Sequence, residues 1–285
     1  MKFLVTNMSI NPKSLILNLL RVADGPLSSR EAVGACALFG IRENSVRVSL
    51  VRLAAAGLIE AAGRGSYRLG PQAAALARDL SGWRTAENRV CDWDGGWLMV
   101  STGGLGRSDR TALRQRERAL ALAGFQALEP TLYVRPDNLV GHARAVRERL
   151  HTLGLDDSAP VFRARDLDDG RDQTARRLWN GAQLSAHYQA TRLKLETWMT
   201  EADELDTDVA ARECYLLGHD AIRQLVFDPL LPAPLVDVAE RRAFTAVVQT
   251  YDRVGHMIWR KLLAQFSGAP SARPVGPRPG KALTH

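Results

Sequence analysis

Cysteine is scarce in this sequence, and its positions suggest neither cross-links nor metal binding. Cys36, Cys91 and Cys214 lie far apart among 285 residues, and an odd number of cysteines cannot pair completely. Such usage argues against a disulfide framework and is typical of a reducing compartment. None of the three has a second Cys or a His at metal-ligand spacing. We therefore expect no metal site and no bound cofactor.

Long apolar runs are also missing. No stretch approaches the roughly 20 apolar residues of a membrane-spanning helix. The first residues lack the charged, apolar and small-residue succession of a signal peptide. These two absences lead us to expect a cytoplasmic protein with no membrane partner.

A recognisable catalytic arrangement is absent as well. No Ser or Cys lies in a nucleophile turn, and His219 with Asp220 has no second carboxylate or metal spacing beside it, although Cys214 is near in sequence. A satisfied polar cluster on a helix is the favoured interpretation. The sequence therefore predicts that the protein is not an enzyme.

Positive charge is present and is concentrated at the two ends. The formal net charge is +7, and residues 1–80 contain ten Lys and Arg against five Asp and Glu. Residues 267–285 contain three basic residues and no acidic one. Because basic side chains that neutralise phosphates release counterions, this distribution favours a polyanionic partner for the N-terminal part. Improved solubility is the alternative explanation.

The stretch from Ile41 to Leu69 is typical of one helix, a tight turn and a two-stranded hairpin. Gly57 is placed to end the helix in a left-handed conformation, and the hairpin is predicted to turn at Gly63-Arg64-Gly65. Apolar residues at helical spacing predict the buried face of the helix, and they are Val46, Leu50, Leu53 and Ala54. The opposite face is free to contact solvent or a ligand.

Two further helices are predicted before this stretch, at Ser14 to Val22 and Arg30 to Phe39. Ser28 and Glu31 have the spacing of a capping box at the start of the second. Three helices followed by a hairpin give the order of a winged helix-turn-helix, whose third helix enters a major groove. We assign residues 1–81 to this DNA-binding domain, with a last helix at Gln72 to Leu80.

An α+β fold, mainly α, is predicted for the whole chain, because alternating strands and helices follow and then helices alone. Residues 82–168 have the order βαββαβ, which is typical of a ferredoxin-like antiparallel sheet backed by two helices. Residues 169–266 are predicted to be helical, with a sharp break at Asp228 to Pro234. Residues 267–285 have the composition of a flexible basic tail.

Polar and cationic residues on the outer face of the third helix are the strongest functional signal. Short polar groups and arginines there can contact base edges and phosphates, and an arginine at the hairpin tip can contact the minor groove or a phosphate. The predicted contacts to double-stranded DNA are Ser28, Asn44, Ser45, Arg47, Arg52 and Arg64. An ordinary solvated helix face is the alternative. Glu43 would repel phosphates unless it contacts cytosine or pairs with an arginine.

A second candidate site concerns a small-molecule effector. Gly103 to Ser108 lies between a predicted strand and a predicted helix, as a phosphate-binding loop does. The Walker lysine and the dinucleotide-binding glycine spacing are missing, which favours an ordinary loop capped by Ser108. Contact with an acidic effector stays open as the alternative. The candidate effector-binding residues are Arg107, Arg110, His219 and Trp179, the last because a large aromatic beside a cleft suits an aromatic ligand.

Three distant stretches together resemble the PaaX family of transcriptional repressors, which regulate phenylacetic-acid catabolism and related pathways. They are RENSVRVSLVRLAAAG at Arg42 to Gly57, WDGGW at Trp93 to Trp97, and LGHDAIRQLVFDPLLPAPL at Leu217 to Leu235. The resemblance implies a winged helix, a central ferredoxin-like domain similar to that of Cas2 proteins, and a helical C-terminal domain. It also implies a homodimer that binds a palindromic operator and releases it when an acyl-coenzyme A effector, such as phenylacetyl-coenzyme A, binds.

Two other functions stay open on the sequence alone. One is an enzyme of coenzyme A or phosphate metabolism with an appended winged helix, which would need a catalytic constellation near Gly103 to Ser108. The other is a protein-binding winged-helix adaptor without operator specificity. A ligand-responsive, DNA-binding transcriptional regulator remains the favoured hypothesis, because no catalytic set accompanies the charged winged helix.

Overall fold

A computed structural model describes residues 10–23, 25–73, 82–106 and 108–268 of the chain. These residues divide into two compact units. The first unit contains residues 10–69 and 259–268, and the second contains the described residues from 70 to 258. The predicted end of the N-terminal domain at residue 81, most of the helix predicted at Gln72 to Leu80, and residues 269–285 of the predicted basic tail lie outside the described residues. Ser267 and Gly268, which were predicted to begin the tail, belong to the last helix instead.

The N-terminal part of the first unit has the predicted winged helix-turn-helix order. Three helices are followed by a hairpin whose second strand also pairs with a short strand before the second helix, so that the antiparallel sheet has the order β1-β3-β2. The elements are α1 (Pro12–Val22), β1 (Leu27–Ser28), α2 (Ser29–Ala37), α3 (Glu43–Ala55), β2 (Ile59–Gly63) and β3 (Ser66–Leu69).

The start of α2 is fixed by the predicted capping box. The Ser28 hydroxyl accepts a hydrogen bond from the Glu31 backbone N–H at 3.1 Å, and a Glu31 carboxylate oxygen accepts one from the Ser28 backbone N–H at 2.6 Å. The two bonds satisfy donors that the first turn of a helix otherwise leaves unpaired. The prediction is confirmed.

Replacing Ser28 by alanine is expected to destabilise the start of α2 by about 1 kcal/mol, because the cap acceptor is lost. Hydrogen–deuterium exchange of α2 amides should then accelerate by roughly fivefold. The matched control is Ser108→Ala, since Ser108 is exposed and does not cap a helix. Equal exchange in the Ser28 variant and the parent protein would contradict the assigned role of the cap.

The buried face of α3 agrees with the prediction except at one position. Val46, Leu50 and Leu53 are 0–2% exposed, but Ala54 is exposed, so its predicted place in the core is wrong. Ser49 is buried instead, and its hydroxyl donates to the Ser45 carbonyl at 2.7 Å. A serine fits this apolar side because the bond to the preceding turn satisfies its polar group.

The second unit contains a four-stranded antiparallel sheet in the order β5-β6-β4-β7, as a ferredoxin-like βαββαβ unit requires. Its elements are β4 (Trp97–Ser101), α4 (Arg110–Leu122), β5 (Gln126–Glu129), β6 (Leu132–Pro136), α5 (His142–Thr152) and β7 (Val161–Ala164). The prediction that Ser108 caps α4 is wrong. Asp109 is the cap, and its carboxylate accepts from the backbone N–H groups of Thr111 and Ala112 at 2.7 and 3.2 Å.

Both faces of this sheet are buried, which explains why β4 is continuously apolar rather than alternating. On one face, Leu98 and Val100 pack in a core with residues of α4 and α5. On the other, Trp97 and Met99 pack against residues that follow the sheet in sequence, and the Trp97 ring stacks on that of Trp179 at 6.3 Å. The central and C-terminal helical regions therefore share one hydrophobic core.

The remaining described helices are α6 (Asp169–Arg177), α7 (Gly181–Glu201), α8 (Thr207–Val226) and α9 (Val238–Gly268). They confirm the helical character predicted after residue 169. In the described part of the chain, no helix combines the length and the apolar character needed to cross a membrane.

Buried polar side chains hold the proline-rich segment between α8 and α9. The Asn138 amide donates to the Leu230 carbonyl at 2.7 Å, and the Arg135 guanidinium donates to the Pro229 carbonyl at 3.4 Å and to the Ala123 carbonyl at 2.5 Å. Burial lowers the pKa of Arg135 to about 10, which still leaves it charged at neutral pH. The bonds to Pro229 and Leu230 satisfy carbonyls that a segment without regular secondary structure cannot pair internally.

The last turns of α9 complete the first unit. The Trp259 ring stacks on Phe39 at 6.4 Å, and the Arg260 guanidinium donates to the Val22 carbonyl at 3.1 Å. The ring of Phe266 lies so close to Gly34 that a side chain there would approach it to 3.2 Å. Residues before Trp259 on the same helix belong to the second unit. The sequence analysis placed all of α9 in the C-terminal domain and did not predict this division.

Candidate DNA interface and effector cavity

The outer side of α3 presents the polar and cationic groups that the sequence singled out. The side chains of Asn44, Ser45, Arg47 and Arg52 are all exposed, whereas the opposite side of the helix packs into the core. Arg42 occupies the N-cap position and makes no side-chain capping bond. The structure thus places these residues together on one accessible helix, as predicted, and their contacts with DNA stay a prediction.

Arg47 and Glu43 form an ion pair along this helix. One Glu43 carboxylate oxygen accepts hydrogen bonds from Arg47 Nη2 at 2.6 Å and from Arg47 Nε at 2.9 Å. Their side chains are 63% and 57% exposed, so the pair contributes little to stability. It does, however, place a negative charge against the Arg47 guanidinium in the free protein. Of the two roles left open for Glu43, the structure displays the pairing with an arginine.

The hairpin tip is held close to the start of α2. Arg64 lies exposed in the turn between β2 and β3, and the following Gly65 has a φ of +73°, which favours glycine. The Gly65 carbonyl accepts from the Ser29 backbone N–H at 2.8 Å and from the Ser29 hydroxyl at 3.1 Å. The neighbouring Ser28 is half-buried, and its hydroxyl is already occupied by the capping bond. Ser29, which the sequence analysis did not select, is the residue that anchors the tip.

A cleft of about 380 Å³, called the cavity below, lies in the second unit, between the helix-covered sheet and the C-terminal helices, and it is open to solvent, since several of its lining side chains are exposed. This volume is within the range of small-molecule sites. Its polar lining consists of amide side chains and one imidazole, and its apolar lining includes an indole and aliphatic side chains. The lining residues are Ala121, Gly124, Gln126, Leu178, Trp179, Asn180, Gln183, Leu184, His187, Phe227 and Pro229.

The predicted effector-binding residues do not form one site. Trp179 is 7% exposed and lines the cavity. Arg110 is exposed at the start of α4, and His219 is exposed on α8, where its ring stacks on Tyr215. Neither of these two lines the cavity, and Arg107 lies outside the described residues. The cavity has no signature in the sequence because residues from three separate stretches build it.

The thiol nearest to His219 in sequence is not activated as a nucleophile. Cys214 is buried on the same helix, and burial raises the pKa of its thiol to about 12, so that the reactive thiolate is not populated at neutral pH. His219 and Asp220 are exposed and separate from it. Within residues 10–23, 25–73, 82–106 and 108–268, no group of three His, Cys, Asp or Glu side chains could hold a metal ion.

The fold and the exposed helix place the chain in the class of winged helix-turn-helix proteins. Sequence models of this class match the chain in three consecutive parts: PaaX-like protein at residues 11–73, PaaX protein central Cas2-like domain at residues 91–176, and PaaX-like protein C-terminal domain at residues 179–261. The chain belongs to the PaaX-like family, which is a family of transcriptional regulators.

A solved structure shares the fold over nearly the whole chain. The uncharacterized protein Rv0674 from Mycobacterium tuberculosis is 22% identical in sequence, with a TM-score of 0.62. The match covers 91% of this chain and 100% of that one. At this identity the likeness supports the fold alone. A comparison with curated proteins found no match.

Removing the Glu43 charge is expected to strengthen DNA binding. In Glu43→Gln, a carboxylate that repels phosphates leaves the start of α3, so affinity for a duplex of any sequence should rise and the plot of log affinity against log salt should steepen, by at most about 0.9. Fluorescence anisotropy with a duplex of random sequence, repeated over a salt series, measures this slope. The control is Glu148→Gln, which removes the acid of a similar exposed pair with Arg144 on α5. Weaker binding by the Glu43 variant would instead indicate a direct contact between Glu43 and a base.

Proposed function

We propose that this protein is a dimeric repressor that binds a palindromic operator beside genes for the catabolism of an aromatic acid or a related compound. An acyl-coenzyme A thioester, such as phenylacetyl-coenzyme A, acts as the effector that releases it. The observation that carries the proposal is the exposed polar and cationic face of α3 on a winged helix. A helix of this size with such a face fits a major groove.

The charge of the winged helix supports a DNA partner. Residues 10–69 contain eight Lys and Arg against four Asp and Glu. One of the four acids is Glu43, which is paired with Arg47, and another is Glu60, which accepts from Arg68 at 2.6 Å. Arg42, Arg52 and Arg64 add further exposed positive charge around the helix and the hairpin tip. Such a surface attracts phosphates over a distance of about one Debye length.

The cavity in the second unit supports a small-molecule effector. Trp179 offers an aromatic wall, and the side chains of Gln126, Gln183 and His187 offer hydrogen-bonding groups. No lining residue is a lysine or an arginine, so the cavity suits the acyl end of a thioester better than its phosphates. Release follows if the effector has a higher affinity for a conformation that binds DNA weakly, since only differential affinity can shift such an equilibrium.

Mapping the chromosomal sites occupied by the protein tests the DNA-binding part of the proposal. The expected result is a small set of sites at promoters of catabolic genes, sharing one palindromic sequence. Binding that is indifferent to sequence would contradict it, as would binding that does not weaken with salt. Transcription from an occupied promoter should rise when the gene for this protein is deleted.

Ligand-induced thermal stabilisation tests the effector. Phenylacetyl-coenzyme A at 100 times its dissociation constant should stabilise the protein by about 2.7 kcal/mol, whereas free coenzyme A should have little effect. Gln183→Trp, which fills the cavity, should abolish the stabilisation. Gln189→Trp is the control, because Gln189 is exposed on the same helix but does not line the cavity. If no acyl thioester stabilises the parent protein, the effector class is wrong.

A further inference from the structure

The centre of the outward face of α3 is apolar. Val51 is 67% exposed and Val48 is 40% exposed, although both lie within a regular helix. At 3.6 residues per turn they share a face with Asn44 and lie opposite the buried Leu53. Valine has a lower helix propensity than alanine, so two exposed valines do not stabilise the helix itself. Their position requires another explanation.

Charge around the two valines indicates which partner fits them. Arg47 lies on one side of the valine face and Arg52 on the other, and both are exposed. A second copy of the same face would bring these arginines against their equivalents, which is electrostatically unfavourable. A DNA major groove is complementary instead, because its rims are phosphates and its floor contains one apolar group, the C5-methyl of thymine.

We propose that Val48 and Val51 determine operator specificity by contacting thymine methyl groups in the major groove. Asn44, at the start of the same face, is placed to pair with an adenine edge, for which an amide is the usual partner. The preferred half-site therefore contains thymines at the positions that face the two valines. This inference rests on the proposed DNA-binding function and adds the residues that select the sequence.

The experiment begins with a selection by the full-length protein from a library of random duplexes. The most strongly enriched duplex is then resynthesised with deoxyuridine in place of one thymine at a time. This change removes only the C5-methyl group and leaves every hydrogen-bonding group of the base pair in place. At one or two positions in each half-site, the parent protein should lose about three- to fivefold in affinity, the value of one buried methyl group.

Two alanine variants link the effect to the valines. Val51→Ala and Val48→Ala should each lower the affinity for the thymine duplex by a factor similar to that of deoxyuridine in the parent protein. The affinity of each variant should not fall further when deoxyuridine replaces the thymine that the missing valine side chain would contact. Both keep a good helix former at an exposed site, so folding is preserved. Val209→Ala is the control, because Val209 is a 39% exposed valine near the start of α8, in the second unit.

The outcomes separate this inference from the proposed function. If no duplex is enriched, specific DNA binding fails and the inference fails with it. If a duplex is enriched but deoxyuridine has no effect at any thymine, specific binding stands and the role of the valines is wrong. The same conclusion follows if deoxyuridine weakens the parent and both valine variants equally. If Val51→Ala leaves DNA affinity unchanged and lowers the sedimentation-derived mass, the face packs against a second copy and the inference is overturned.

Discussion

Replacing Arg47 by alanine should lower affinity for the operator roughly 10- to 100-fold, the range of one bidentate contact between an arginine and a base. The guanidinium lies on the exposed side of α3, and its pairing with Glu43 is solvent-exposed, so exchanging that partner for DNA costs little. Affinity for a random duplex should fall much less. A gel-shift titration with the selected operator and with a random duplex measures the two losses.

Arg144→Ala is the matched control for this prediction. Arg144 is 87% exposed and pairs with Glu148 four residues away on α5, so its loss removes the same charge and a similar pair. We expect the control variant to bind the operator like the parent. Equal losses on operator and random duplex in the Arg47 variant would indicate a phosphate contact, and unchanged affinity on both would place Arg47 outside the groove.

Replacing Arg241 by methionine should destabilise the second unit by about 3–5 kcal/mol, the usual cost of removing one partner from a buried ion pair. Arg241 is fully buried. Its Nε donates to a Glu87 carboxylate oxygen at 2.7 Å, and its Nη1 donates to the Leu231 carbonyl. The variant leaves Glu87 without its main partner and the carbonyl unsatisfied. Urea unfolding followed by tryptophan fluorescence measures the loss, since Trp83 and Trp97 lie in the core of this unit.

The adjacent arginine provides the control. Arg242 also faces Glu87, at 3.6 Å, but its side chain is 65% exposed. Exposed pairs contribute little, so Arg242→Ala should change the unfolding free energy by less than about 0.5 kcal/mol. Similar destabilisation in the two variants would show that burial is not what makes Arg241 important.

Local patterns explain why most of the fold could be predicted. The capping box of Ser28 and Glu31 and the glycine after α3 act within a few residues, so their effects are visible in sequence. The order βαββαβ follows from strand and helix periodicity alone. Ala54 was assigned to the core because its spacing is compatible with a wide apolar stripe, but the buried face of α3 is narrower and includes Ser49. A serine whose hydroxyl bonds to a carbonyl of its own helix can be buried, but it is polar, so hydrophobic periodicity does not identify it.

Contacts between distant residues explain what could not be predicted. The cavity is built from residues of the sheet region, the α6 to α7 connection with the first turns of α7, and the end of α8. Of the three candidate effector residues that the structure describes, only Trp179 lines it. The Arg241 pair joins positions 154 residues apart. The sequence shows where each arginine lies along the chain, but the acidic partner of each arginine depends on the tertiary fold. The predicted DNA-contact residues could be selected from the sequence because one helix carries most of them.

The division of α9 has a consequence for the order in which the protein is made. Trp259, Arg260 and Phe266 pack against α1 and α2, so the winged-helix unit includes residues that the ribosome adds only after those of the second unit. A nascent chain that has emerged as far as the hairpin still lacks these contacts. The three helices and the hairpin are therefore completed as a unit only after the second unit has been translated, and a chain terminated before Trp259 cannot assemble the whole winged-helix unit.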